Sequence, residues 1–133
     1  MLSIPTVWVD RVLLVCILCR FSAAQSSTVE SIPGQVLFNQ LSQGLTASDL
    51  ETINLQPVRC MGACSCACTV AFMAPNKLTF ILSQLSPTDS VSDLLKFSSQ
   101  YLACADGKVP FKERPDTVKQ KIHAVLPPLL IKL

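Results

Sequence analysis

Charge is scarce in this chain: 15% of its 133 residues are Asp, Glu, Lys or Arg, and the net charge is only +2. No long Lys/Arg run accompanies that small excess, so nothing argues for nucleic acid or a membrane surface as a partner. Long hydrophobic runs are missing too. The most apolar stretch, Val12-Leu13-Leu14-Val15-Cys16-Ile17-Leu18-Cys19, has eight residues, far short of the ~20 a bilayer-spanning helix needs. Histidine is limited to His123, which excludes a Rieske-type centre with its two His ligands and weakens any Cys–His nucleophile. There is no P-loop, no Gly-rich dinucleotide fingerprint, and no paired-carboxylate pattern for acid–base chemistry.

What the chain has in abundance is apolar residues, at 50%, and seven cysteines. The length fits one domain over residues 1–133, able to bury roughly two-thirds of its unfolded surface without disulfides or metal as its only support. Seven is odd, so internal disulfides would leave one thiol over. Four cysteines, at 60, 64, 66 and 68, fall within nine residues. Such clustering in a chain that can build a core reads as metal ligation or redox chemistry. Ser22-Ala23-Ala24 has the look of an export cleavage site, but Asp10 beside Arg11 and Arg20 after the apolar run fit an export signal badly. A cytoplasmic location is expected.

Apolar patterning predicts a first strand over 7–16, with Val7, Val9, Val12, Leu14 and Val15, and a loop over 22–30. Ser31 and Pro33 predict a helix start, continued by Val36, Leu37, Leu41 and Leu45 to Gly44 near its end. Alternation over 52–58 predicts a second strand. A cysteine loop follows over 59–68, and then a hairpin of 69–73 and 78–82 turns at Pro75-Asn76-Lys77. Ser90 to Asp93 resembles a capping box opening a helix with Leu94, Leu95, Tyr101 and Leu102. Asp106-Gly107 marks a turn. Pro115-Asp116 opens a short terminal helix with Val118, Ile122 and Val125 inward, stopped by Pro127-Pro128. The expected fold is α/β, β-α-β-β-β-α in order: a mixed sheet with helices packed on it, in thioredoxin-like outline, its first crossover parallel and right-handed.

In that arrangement Cys16-x-x-Cys19 follows strand one and Cys60-x-x-x-Cys64 follows strand two. Both strands would end on one edge of the sheet, where such folds place their sites. Four thiolates converging there would suit zinc or an iron–sulfur cluster. Gly62 would let the loop turn amide N–H groups towards the sulfurs, and Arg20 and Arg59 would favour anionic thiolates. Cys66 and Cys68 could replace a ligand or resolve an oxidised thiol. Cys104, on the apolar helix, reads as a buried small hydrophobe, and His123 as a solvated side chain. Use of Cys16 and Cys19 as a catalytic dithiol is disfavoured, because the following helix starts about a dozen residues too late to lower a thiol pKa.

Arg59-Cys60-Met61-Gly62-Ala63-Cys64 resembles the second cysteine motif of the thioredoxin-like [2Fe-2S] ferredoxins, whose ligands follow the first and second strands. More closely, Cys60 to Leu85, Val109-Pro110-Phe111-Lys112-Glu113-Arg114-Pro115 and Leu126-Pro127-Pro128 are similar to an uncharacterised bacterial family described only as predicted metal-binding proteins. That family carries an early Cys-x-x-Cys and a run matching Cys60, Cys64 and Cys68. The resemblance implies a metal site drawn from Cys16, Cys19, Cys60, Cys64 and Cys68. A [2Fe-2S] cluster would make the chain a ferredoxin-type electron carrier rather than an enzyme; zinc would make it a structural, trafficking or sensing module. A redox or metal-handling protein would be its partner. The first pair is spaced more closely than in the ferredoxins, and Cys66 is an addition to the family's run.

Overall fold

A computed structural model describes residues 11–17, 32–48, 50, 52–59 and 68–128. Its strands are β1 (Val12–Cys16), β2 (Asn54–Val58), β3 (Val70–Met73), β4 (Thr79–Leu82) and β5 (Ile122–Leu126). Its helices are α1 (Pro33–Ala47), α2 (Val91–Ala103) and α3 (Asp116–Lys121), with a 3-10 turn over Phe111–Glu113. The strands form one mixed sheet in the order β2-β1-β3-β4-β5. β1 and β2 are parallel, from Val12↔Asn54 to Cys16↔Val58; every other neighbouring pair is antiparallel. The expected α/β, thioredoxin-like architecture is therefore present.

Register explains how the core is filled. Leu13 pairs with Phe72 and Val15 with Val70, while Phe72 pairs with Phe80 and Val70 with Leu82. Paired residues share a face, so these six side chains form one apolar surface. All six are buried, together with Leu37, Leu41 and Leu45 of α1 and Leu94, Phe97 and Tyr101 of α2. The helical residues recur at three- and four-residue spacing, which puts them on one helix face. At the centre, Phe97 meets Phe72 and Phe80 edge-on, at centroid distances of 5.1 and 5.2 Å, the geometry the ring quadrupole favours.

A buried cation closes the far end of α2. Lys77 Nζ donates to the carbonyls of Tyr101 and Leu102 and lies over the Tyr101 ring. It thereby serves helix-terminal carbonyls with the charge sign that the helix dipole favours. Asn76 and Gly107, both at positive φ, make the turns that flank it. A Cβ on Gly107 would lie 2.8 Å from Tyr101 and 3.0 Å from Lys77.

Two sequence expectations are corrected. Residues 122–126 are not helical: α3 stops at Lys121 and β5 follows at once. Val118, Ile122 and Val125 have helical spacing, but the open edge of β4 offers unpaired backbone groups. Pairing Thr79↔Leu126 through Leu82↔Ile122 satisfies them, and tertiary pairing overrides the local pattern. His123 consequently lies on an exposed strand, its Nδ1 3.5 Å from Ser83 Oγ. The capping box at α2 is also not formed. Ser90 Oγ accepts from the Ser86 N–H, and Asp93 accepts from the Thr117 N–H at the start of α3. Within the described residues the first strand runs from Val12 to Cys16, as expected for that stretch; the expected positions 7–10, like Ser31, lie outside them.

Truncating Phe97 to Ala removes the ring on which Phe72, Phe80 and Tyr101 converge. The expected cost is about 3–5 kcal/mol, measured as a lowered urea midpoint with an unchanged m-value.

Candidate metal centre

The rim where β1 ends is built from three adjacent strands. β1 runs up to Cys16, and its parallel neighbour β2 runs up to Val58 and Arg59. β3 is antiparallel on the other flank, so its beginning, preceded by Cys68 and Thr69, lies at the same rim. Backbone bonds fix both contacts. Cys16 N–H donates to Thr69 O at 3.1 Å, and Ile17 N–H donates to Val58 O at 2.9 Å. Cys16 Sγ lies 3.9 Å from Arg59 O. Cys68 pairs through its own N–H and C=O with Leu85, at 3.3 and 3.2 Å, prolonging the β3–β4 ladder to the rim.

The start of α1 closes on the same spot. A Cβ added to Gly34 would fall 2.1 Å from the Cys16 carbonyl oxygen, so only glycine allows the helix to come so near. α1 has no side-chain cap and no acidic residue in its first turn. Its first turn therefore lies against the end of β1 with no acidic side chain of its own.

Cys16 and Cys68 are both buried free thiols. Burial, and secondarily the charge of Cys16, push the Cys68 pKa from 9.0 up to about 12. A thiol so placed is a poor nucleophile in water, and a bound cation is what would let it ionise. α1 does begin late in sequence, at Pro33, but its first turn lies against the Cys16 carbonyl, so the expected separation of helix and first cysteine is corrected.

Of the expected ligands, the structure brings Cys16 and Cys68 to this rim. Cys19, Cys60 and Cys64, and also Cys66, lie outside the described residues. Among the described residues no three His, Cys, Asp or Glu side chains group closely enough to hold a metal ion. The cysteine loop leaves the described chain at Arg59 and re-enters it at Cys68, on the two strands flanking Cys16. Cys104 is half-buried at the C-cap of α2, away from this rim. Sequence reading missed the role of Gly34; its one available signal was a glycine beside a helix-opening proline.

A family model described as "Protein of unknown function (DUF1636)" matches residues 13–128. The chain belongs to the DUF1636 family. Among solved structures, this DUF1636 chain is similar in fold to a thioredoxin-like [2Fe-2S] ferredoxin from Aquifex aeolicus. The identity is 16% and the TM-score 0.58, over 92% of this chain and 98% of that one. A second structure of the wild-type Aquifex aeolicus ferredoxin gives 18% identity and a TM-score of 0.55, over 86% and 97% of the two chains. A third, of one of its cysteine-to-serine variants, gives 17% and 0.55. Comparison with curated proteins gives no significant match. No helix among the described residues is long and apolar enough to cross a membrane.

The raised thiol pKa sets a pH window. Tyr101 moves the same way, from 10.0 to about 12, through burial. For both groups the fold favours the protonated form. Their contribution to stability is full below about pH 9 and is lost as pH climbs towards about 12. Metal-free protein is expected to show a falling urea midpoint across that range, and Cys68→Ala to fall less steeply than the parent.

Proposed function

We propose that the DUF1636 chain is a metal-thiolate protein whose centre is a [2Fe-2S] cluster, carried at the β1 rim for one-electron transfer. The observation that carries this reading is the position of Cys16. It ends a central strand, and the two ends of a loop with three further cysteines leave from the strands on either side of it. Candidate ligands are Cys16, Cys19, Cys60, Cys64 and Cys68; Cys₄ ligation is what such a cluster requires. Likeness of fold to the thioredoxin-like [2Fe-2S] ferredoxin supports the choice of cluster over zinc.

The chain's own groups suit that role. Burial of Cys16 and Cys68 keeps water from the sulfurs, and the uncapped start of α1 favours negative charge next to Cys16. Both effects are levers on a cluster's potential. A redox or metal-handling protein would supply and accept the electron, and the reducing cytoplasm belongs to the same proposal.

Anaerobically purified protein is expected to be red-brown, with iron and acid-labile sulfide in equal amounts. Colourless protein carrying stoichiometric zinc would overturn the cluster and favour a zinc-thiolate module.

A further inference from the structure

We draw no further inference here: the strongest candidate, the apolar face of the sheet turned away from α1 and α2, where Leu14, Ala71 and Ile81 lie in one row across three strands and Met73 and Leu126 are exposed, carries nothing because nothing in the structure shows what covers it.

Discussion

The seating of α1 on the end of β1 is the contact on which the rest of the structure depends. Gly34 lies against the Cys16 carbonyl so closely that no side chain fits between. That one approach fixes the first crossover and lays α1 over the sheet, where Leu37, Leu41 and Leu45 meet the core. It also points the positive end of a 15-residue helix at the strand terminus bearing the first cysteine. The close approach also helps bury Cys16 at the end of its strand.

Around that contact, the sheet order decides which cysteines can meet. Because β1 is flanked by β2 and β3, the chain must pass from one side of Cys16 to the other between Arg59 and Cys68. The loop carrying Cys60, Cys64 and Cys66 is therefore tied at both ends to the rim where Cys16 lies. An interior strand order with β1 at the edge would have given no such tether.

Much of the fold was legible in the sequence because its signals were redundant. Val12 to Val15, Val70 to Met73 and Thr79 to Leu82 combine β-branched residues with turn residues at their ends. α2 combines apolar periodicity with Ser90 at its start. β5 was not legible: Val118, Ile122 and Val125 satisfy a helical period, and only the open edge of β4, a tertiary fact, makes 122–126 a strand. The rim was half legible. Parallel β1 and β2 follow from the β-α-β order, which places Cys16 beside Arg59. The placement of Cys68 at the rim where Cys16 lies required knowing that β3 returns next to β1. The stacking of Arg114 on Phe80 was invisible to sequence reading, since it joins residues far apart in the chain.

Serine substitution read by metal content and electron paramagnetic resonance of the reduced protein tests the central claim most directly. If Cys16 belongs to a shared centre at this rim, Cys16→Ser will lose the metal or change the signal, while Cys104→Ser will leave both as they are. A Cys16→Ser protein that folds, keeps its full metal content and gives the parent's spectrum would contradict the account.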